Sequence, residues 1–356
     1  MRIELPISKS IANRLLILQA IHGDGLMTVS CDMPDDVRIM SEAIRLLGER
    51  REARIDLGNC GTAMRFLTAY CAQLEGQTTI LDGVERMHHR PIGQLVDALR
   101  EIGADIEYLG EEGFPPLRIK GCILDKRRIV TINNPQSTQF VSALLLIGTN
   151  VQTDSTSPYI YITQEVIKQY QLSPFSFHLS VEKDWSSAAF WYEYVALYGG
   201  EITLLGLSRD SLQGDKIVAD IFAHLGIHTT YTAEGITLSP IAYSEASYSP
   251  LSGRPIAAQA ASRSKILVQD FGNCPDLYPA IALTCEHLGI ELHATGVESL
   301  PLKESDRLRA VREHRTDADH RMAMALLIAG YEVDDTACIS KSYPQFMEQF
   351  RQLRKK

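Results

Sequence analysis

A short run near the carboxyl end of the chain carries two cations and a carboxylate within one helical turn. It reads Lys303-Glu304-Ser305-Asp306-Arg307, and the apolar spacing behind it predicts that a helix opens here. Lys303 and Arg307 would then lie four residues apart on one face, with Glu304 at its edge. Because a helix N-terminus and two cations favour an anion, a phosphate or carboxylate could bind here while Glu304 transfers a proton. A solvated, charged first turn is the alternative.

A second polar run lies close to the amino end. Ser8-Lys9-Ser10 leads into an apolar, helix-favouring stretch over residues 13–21, and Arg14 lies four residues after Ser10 on the same face. Hydroxyls, an ammonium and free backbone N–H groups together can bind phosphate. The same residues could serve only as a helix cap.

Two glycines bracket Asn59 between a predicted strand and a predicted helix. Gly58 and Gly61 allow the backbone there to approach a ligand closely. The loop lacks the lysine of a P-loop and the spacing of a dinucleotide fingerprint, so it does not indicate a nucleotide site. A glycine-shaped turn without a ligand is the alternative.

Two arginines stand four residues apart just before another predicted helix. Pro91 restricts the backbone of Arg90 to extended geometry. An arginine held in this way can bind a carboxylate with two parallel hydrogen bonds. Between Arg86 and Arg90 lie His88 and His89, which have no third ligand near them in the sequence. No metal site is therefore predicted here.

Hydroxyls and an amide precede one further predicted helix, and a carboxylate precedes another. Ser137, Thr138 and Gln139 can bind an anion or a sugar hydroxyl, or can simply cap the helix that follows. Asp276 follows a proline at the start of a predicted helix over residues 277–288. Its carboxylate is either a charge that suits a helix N-terminus or a base.

The composition is that of a globular protein with two domains. At 356 residues the chain exceeds the size at which one core usually stops growing, and 45% hydrophobic with 22% charged residues is ordinary. No apolar run is long enough to cross a bilayer and no signal peptide opens the chain, so a cytoplasmic protein is expected. The net charge of -9 disfavours nucleic acid or an anionic membrane as a partner. Seven scattered cysteines without a C-x-x-C pair indicate reduced thiols.

Glycines recur where predicted helices end and predicted strands begin. Gly48 and Gly103 are 55 residues apart, and Gly226 and Gly289 are 63 residues apart. This spacing indicates repeated α/β units, with a second large unit beginning around residues 181–188. Several helix N-termini in such units can be aimed at one shared site.

In their joint order these motifs resemble the EPSP synthase family, the 3-phosphoshikimate 1-carboxyvinyltransferases, which are enolpyruvyl transferases. The similarity runs from Ser8 to Pro344. The residues that carry it are Ser8-Lys9-Ser10 with Asn13-Arg14, Gly58 to Arg65, Arg86-Met87 with Arg90 to Gly93, Lys303 to Arg307, Asp319 to Met324, and Lys341 to Pro344. No single motif is specific, whereas the order of all six is.

The resemblance implies a two-domain inside-out α/β barrel, with three βαβαββ repeats in each domain and a cleft between the domains. One domain would cover residues 9–183, and the other would join residues 1–8 to residues 184–356. The third repeat of the second domain is shortened between residues 308 and 318, because about eleven residues cannot supply a crossover that needs roughly a dozen or more. Either the chain omits a segment or the repeat is eroded, and the first is favoured because Arg307 and Arg321 must reach one ligand.

Matched to the family's motifs, two sets of residues would hold the two substrates. Shikimate 3-phosphate would be held by Lys9, Ser10, Arg14, Ser137, Thr138, Thr156, Tyr159, Asp276, Ser299 and Lys303. Phosphoenolpyruvate would be held by Lys9, Asn59, Gly61, Arg90, Gln139, Arg307, Arg321 and Lys341. Thr138 and Thr156 stand where the family usually has serine, which keeps the hydroxyl, and Ser299 stands where asparagine is frequent.

The implied reaction is an addition followed by an elimination. The 5-hydroxyl of shikimate 3-phosphate loses a proton as it attacks C2 of phosphoenolpyruvate, C3 gains a proton, and the tetrahedral intermediate expels phosphate. Asp276 is the catalytic candidate on the hydroxyl side, and Glu304 with Lys9 on the C3 side. Cations offset the repulsion between the phosphates and carboxylates of the substrates. No cofactor and no metal are implied, and a monomer is expected.

Two other functions are compatible with the sequence. An enolpyruvyl transferase acting on UDP-N-acetylglucosamine would share the fold, but it uses a loop cysteine where this chain has His88-His89. A catalytically silent phosphate-binding relative would fit the shortened segment. Release of phosphate from phosphoenolpyruvate that depends on shikimate 3-phosphate separates the three functions.

Overall fold

The computed structural model describes residues 1–172, 181–241, 247–248, 255–256 and 266–354. The chain divides into two compact units. The amino-terminal unit is Lys9–Val181, and the carboxy-terminal unit joins Met1–Ser8 to Glu182–Lys356. Strand β1 (Arg2–Glu4) therefore belongs to the carboxy-terminal unit.

The amino-terminal unit alternates helices with short strands. In chain order its described elements are α1 (Lys9–His22), α2 (Asp35–Glu49), β2 (Glu52–Asp56), α3 (Gly61–Ala72), β3 (Thr78–Asp82), α4 (Gly93–Glu101), β4 (Asp105–Tyr108), β5 (Leu117–Lys120), β6 (Ile129–Thr131), α5 (Thr138–Leu146), β7 (Asn150–Gln152) and α6 (Pro158–Leu172). A 3-10 helix, Glu85–His89, lies between β3 and α4.

Four strands of this unit form one mixed sheet in the order β2-β3-β5-β4. β2 runs parallel to β3, with Ile55 opposite Leu81, and β5 is antiparallel to both of its neighbours. β6 and β7 form a separate parallel pair. The parallel pairs are joined through α3 and α5, as a parallel connection requires.

The carboxy-terminal unit continues the same alternation. Its further described elements are α7 (Trp185–Tyr198), β8 (Ile202–Leu205), α8 (Val218–His224), β9 (Ile227–Tyr231), β10 (Gly235–Pro240), β11 (Ser247–Tyr248), β12 (Pro255–Ile256), β13 (Ile266–Asp270), α9 (Tyr278–Leu288), β14 (Glu291–Thr295), α10 (Arg307–Glu313), α11 (His320–Ile328) and α12 (Phe346–Arg354). Short 3-10 helices at Gly214–Ile217, Pro275–Leu277, Leu300–Leu302 and Ala337–Lys341 connect them.

The main sheet of this unit has the order β1-β8-β10-β9. β1 and β8 are parallel, and the β9–β10 hairpin adds to them through β10, just as the β4–β5 hairpin adds to β2 and β3 through β5. The two four-stranded sheets therefore share one connection pattern. A parallel pair, β13 and β14, and a short antiparallel pair, β11 and β12, complete the described strands. The mixed α/β class predicted from the sequence is confirmed.

Helix α7 is the centre of the carboxy-terminal core. Residues 185–197 are all buried, because the helix is apolar on nearly every side and such a helix must be enclosed. It packs against α9 and α11. Its N-cap, Asp184, accepts a hydrogen bond of 2.9 Å from the backbone N–H of Ser187. Within the described residues, no helix is both long enough and apolar enough to cross a membrane.

The predicted helix-ending glycines behave in two ways. Gly103, Gly226 and Gly289 follow helices with positive φ angles of 101°, 83° and 66°, a conformation that favours glycine. The prediction for Gly48 is wrong, because α2 continues to Glu49 and Gly48 therefore lies inside the helix.

Only a turn separates α10 from α11. After Glu313 the backbone is left-handed at His314, Asp317 and Ala318, and α11 begins at His320. In the described part of the chain, the sheet before this turn contains β13 and β14 alone. It thus has two strands where the sheet of β1 has four.

Candidate active site

A network of buried and half-buried charges lies in the carboxy-terminal unit and is called here the charged cluster. It consists of Asp276, Lys303, Glu304, Arg307, Asp319, Arg321 and Lys341. Four cations thus face three carboxylates. The sequence predicted every member except Asp319 as a site residue.

Arg307 holds the centre of the charged cluster and is 1% exposed. Its Nη1 lies 2.7 Å from Asp276 Oδ1, its Nε lies 2.8 Å from Asp319 Oδ2, and its Nη2 lies 3.2 Å from Glu304 Oε2. Burial lowers the pKa of Arg307, but the neighbouring carboxylates, Asp319 first, raise that pKa above its ordinary value. The guanidinium therefore stays charged and joins both candidate catalytic carboxylates.

The other cations share the same two carboxylates. Lys341 Nζ lies 3.0 Å from Glu304 Oε1. Arg321 Nη2 lies 2.8 Å from Asp276 Oδ2, and Lys303 Nζ lies 3.5 Å from Asp276 Oδ1. Each candidate carboxylate is thus paired with at least two cations, so an anionic ligand would compete with it for them.

Arg321 keeps unused hydrogen-bonding capacity. It is 1% exposed, and its Nε and Nη1 have no hydrogen-bond partner within the described residues. A buried donor without a partner costs free energy, and an anion would satisfy both nitrogens. This favours Arg321 as a ligand of a phosphate or carboxylate group.

Helix caps place the two arginines. Asp319 is the N-cap of α11 and accepts a hydrogen bond of 2.9 Å from the backbone N–H of Arg321. The same carboxylate receives Nε of Arg307, so one aspartate fixes a helix start and an arginine together. Asp276 lies in the 3-10 turn Pro275–Leu277, which begins with a proline, directly before α9.

The predicted helix start at Lys303 is wrong. Asp306 is the N-cap of α10, because its Oδ1 accepts the backbone N–H of Arg309 at 3.1 Å, and the helix begins at Arg307. Lys303 has an extended backbone after the turn Leu300–Leu302. Lys303 and Arg307 therefore do not share a helix face, although both reach Asp276. Side-chain contacts to Asp276, and not a shared helix N-terminus, bring Lys303 and Arg307 together.

In the amino-terminal unit, Lys9 is the first residue of α1. Its Nζ lies 2.8 Å from Oδ2 of Asp36, in the first turn of α2, and both side chains are largely buried. Asp36 was interpreted from the sequence only as a charge that suits a helix N-terminus. It is a carboxylate partner of a candidate catalytic lysine.

Arg14 ties α1 to α6. Its Nε donates to Thr163 Oγ1 at 2.7 Å, its Nη1 to the carbonyl of Ser10 at 2.7 Å, and its Nη2 to the carbonyl of Tyr159 at 3.1 Å. Burial lowers the pKa of Arg14 to about 10. Three predicted ligands of shikimate 3-phosphate, Ser10, Arg14 and Tyr159, are thus brought together by hydrogen bonds.

Four predicted ligands of phosphoenolpyruvate in this unit lie around the start of α3: Asn59, Gly61, Arg90 and Gln139. Arg90 Nη1 lies 3.4 Å from Asn59 Oδ1, and Arg90 has the extended backbone that Pro91 predicts. Gln139 Nε2 donates to Thr62 Oγ1 at 3.0 Å. A Cβ on Gly61 would lie 2.6 Å from Arg90 Nη2, so only glycine allows the guanidinium to approach this closely.

The remaining predicted residues are spread over several turns. Ser137 is the N-cap of α5 and accepts the backbone N–H of Gln139 at 3.3 Å, and Thr138 follows it. Thr156 lines a polar cavity of about 720 Å³ in the amino-terminal unit. Ser299 precedes the turn Leu300–Leu302 without a capping hydrogen bond from its side chain.

Histidines and acidic residues near the paired arginines are bound to each other. His88 Nε2 lies 2.9 Å from Asp82 Oδ1, and His89 Nε2 lies 3.2 Å from Glu85 Oε1. Among the residues that the structure describes, no group of three or more His, Cys, Asp or Glu side chains is placed to hold a metal ion.

The protein is thus of the mixed α/β class, and its carboxy-terminal unit places four cations beside three carboxylates. The family model of EPSP synthase (3-phosphoshikimate 1-carboxyvinyltransferase) matches residues 49–314 and 312–350. The 3-phosphoshikimate 1-carboxyvinyltransferase of Bacteroides fragilis is 36% identical, covering 98% of this chain and 94% of that protein. The 3-phosphoshikimate 1-carboxyvinyltransferase of Cellvibrio japonicus is 30% identical, and the alignment covers 99% of this chain and 96% of that protein. The chain belongs to the EPSP synthase family.

A solved structure agrees at the level of the fold. The EPSP synthase of Acinetobacter baumannii has a TM-score of 0.66 at 18% identity, covering 99% of this chain and 95% of that one. The alignment with the Bacteroides fragilis relative spans 411 residues against the 356 of this chain, so at least 55 of its positions lack a counterpart here. The two matches to the family model meet at residues 312–314, inside the segment predicted to be short.

Proposed function

We propose that this protein transfers the enolpyruvyl group of phosphoenolpyruvate to the 5-hydroxyl of shikimate 3-phosphate and releases phosphate, a step of aromatic amino acid biosynthesis. Membership of the EPSP synthase family supports this activity. The observation that carries it is the position of Arg307, whose buried guanidinium contacts both Asp276 and Glu304. Two candidate catalytic carboxylates and four cations within this network suit a reaction that moves two protons between anionic substrates.

The proposed mechanism assigns one carboxylate to each proton. Asp276 takes the proton of the 5-hydroxyl as the oxygen bonds to C2, and Glu304, assisted by Lys9, protonates C3. In the elimination a carboxylate takes a proton back from C3, and the C–H electron pair forms the double bond between C2 and C3. The bond from C2 to the phosphate oxygen breaks, and phosphate leaves with the electron pair of that bond. Arg321 and Lys341 would hold the phosphate or carboxylate of phosphoenolpyruvate, which the unused donors of Arg321 support.

The same proposal extends to architecture and ligands. Each unit would contain three βαβαββ repeats arranged inside out, with the third repeat of the carboxy-terminal unit shortened between residues 308 and 318. The shared strand order of the two main sheets and the buried helix α7 support this plan. The domains would be residues 9–183 and residues 1–8 with 184–356, acting as a cytoplasmic monomer with residues of both domains serving the two substrates.

The activity is tested by phosphate release from phosphoenolpyruvate with and without shikimate 3-phosphate. We expect release only with this acceptor. Release with UDP-N-acetylglucosamine instead would identify the related sugar-nucleotide enzyme, and no release with either acceptor would indicate a silent relative.

The role of Glu304 is tested by Glu304→Gln, which keeps the shape but cannot transfer a proton. Turnover should fall by about 10²- to 10⁴-fold, the usual contribution of a general acid or base, while calorimetry still detects substrate binding. Glu298→Gln is the matched control, because Glu298 is an exposed carboxylate six positions away. Near-normal turnover of Glu304→Gln would remove this residue from the mechanism.

A further inference from the structure

Neutral groups from four helices contact the guanidinium of Arg14 and are called here the Arg14 cradle. They are the hydroxyls of Ser142 on α5 and Thr163 on α6, the ring of Phe66 on α3, and the backbone carbonyls of Ser10 and Tyr159. Thr163 Oγ1 accepts from Nε at 2.7 Å, and Ser142 Oγ accepts from Nη2 at 3.3 Å. The ring centroid of Phe66 lies 5.2 Å from Cζ of Arg14. Arg14 is 2% exposed, so these contacts take the place of water around its charge.

The Arg14 cradle supplies hydrogen-bond acceptors without a negative charge. In the part of the chain that the structure describes, Arg14 forms no ion pair, whereas Lys9 pairs with Asp36 and Arg307 pairs with three carboxylates. A guanidinium stays charged at neutral pH, and burial of a charge without a counter-ion costs free energy. A bound anion would supply that counter-ion. The cradle thus keeps a positive charge available for an anionic ligand.

Thr163 fixes the direction of this guanidinium. Its Oγ1 lies 2.8 Å from the carbonyl oxygen of Tyr159, one turn back on α6, and 2.8 Å from Oγ of Ser142. A hydroxyl has one hydrogen and a carbonyl only accepts, so donation to Tyr159 turns a lone pair of Thr163 towards Nε of Arg14. Thr163 and Ser142 are both 0% exposed, so bulk water does not compete for these bonds.

We propose that Thr163, assisted by Ser142, is a positioning residue for shikimate 3-phosphate: it holds the guanidinium of Arg14 in the orientation that binds an anionic group of this substrate. The inference rests on the proposed function for the identity of the anion. Nη1 of Arg14 has two N–H groups and donates one to the carbonyl of Ser10 at 2.7 Å, which leaves the other for the substrate. Thr163 itself touches no reacting atom.

The test is the affinity for shikimate 3-phosphate, measured by calorimetry on the full chain. Thr163→Val keeps the shape of the side chain but offers Nε no acceptor, so the guanidinium spends less time in the orientation that binds. The dissociation constant should rise by about 10- to 100-fold, the effect of losing one hydrogen bond to a charged group. Thr163→Ser keeps the hydroxyl and should bind like the unmodified protein.

The steady-state constants separate this role from a structural one. Thr163→Val should raise the KM for shikimate 3-phosphate by a similar factor and change kcat far less, because Asp276 and Glu304 belong to the other unit. A fall in kcat at an unchanged KM would contradict the proposal.

Thr68→Val is the matched control in the same unit. Thr68 is also 0% exposed and donates to the carbonyl one turn back, that of Met64, at 2.7 Å, but it lies on α3 and outside the Arg14 cradle. This variant should keep the affinity and the KM of the unmodified protein. Equal losses of affinity in Thr163→Val and Thr68→Val would overturn the proposal.

Ser142→Ala supplies a second variant should Thr163→Val fold poorly, which circular dichroism would show. It removes one of the two acceptors of Nη2, so shikimate 3-phosphate should bind more weakly, and an unchanged affinity contradicts the proposal. The binding assay does not need turnover. Absent phosphate release with intact binding would overturn the proposed function, whereas equal affinities of the unmodified protein and Thr163→Val would overturn this inference alone.

Discussion

Replacing Arg307 by lysine keeps the positive charge but removes the planar guanidinium group. Arg307 uses three nitrogens for three carboxylates, whereas one ammonium group is a point charge on a flexible stem. If the substituted lysine kept one of these contacts, two charge-assisted hydrogen bonds would be lost, each worth about 1.5–3 kcal/mol. The free energy of unfolding of the carboxy-terminal unit should therefore fall by about 3–6 kcal/mol.

Tryptophan fluorescence measures this change in the right unit. The chain has two tryptophans, Trp185 and Trp191, and both are buried in α7. A urea titration followed by their emission therefore reports on the carboxy-terminal unit. With a urea dependence of about 2 kcal/mol per molar, the midpoint of Arg307→Lys should lie roughly 1.5–3 M lower.

Arg309→Lys is the control on the same helix. Arg309 is paired with Glu313 at 2.9 Å, but its side chain is 59% exposed, and solvent screens such an exposed ion pair so that it contributes little to stability. Its midpoint should move little. Equal urea midpoints for the two variants would refute the inference that the buried guanidinium of Arg307 holds the charged cluster together.

Two further substitutions test the amino-terminal loop and the core. Gly61→Ala should raise the KM for phosphoenolpyruvate in the phosphate-release assay, because the new Cβ displaces Arg90, whereas Gly48→Ala meets no atom within 4 Å and should leave the KM unchanged. Burial raises the pKa of Glu193 well above its ordinary value, so its folded form holds a proton that the unfolded chain gives up above about pH 4. Glu193→Gln should therefore raise the urea midpoint at pH 8 and change it little at pH 4, and an equal change at both values would contradict this.

Local chemistry explains what the sequence could predict. Helices are predicted after Ser8-Lys9-Ser10, after Gly61 and after Ser137-Thr138-Gln139. The structure has α1, α3 and α5 there, and they begin at Lys9, Gly61 and Thr138, so α1 already includes Lys9 and Ser10. A cap and its helix lie within a few residues, so the sequence contains the whole interaction. The extended backbone of Arg90 follows for the same reason, since Pro91 imposes it.

The errors come from competition between neighbouring caps and from contacts at long range. The apolar spacing indicates a helix that includes Lys303. Instead Asp306 is the N-cap residue, and α10 begins after it, at Arg307. Lys9 meets Asp36 across 27 positions, and Arg307 meets Asp319 across 12 positions. No short-range pattern contains these pairs, so Asp36 and Asp319 are not predicted as site residues.

In the proposed mechanism, the charge balance of the cluster would link ligand binding to proton transfer. Without a ligand, Asp276 and Glu304 both accept hydrogen bonds from Arg307, and a carboxylate paired with a cation is a weaker base. An anion that takes donors from Arg307, Arg321 or Lys341 weakens this pairing as it binds. The groups that move protons would thus become basic enough only when the substrate is in place, because the same cations serve both.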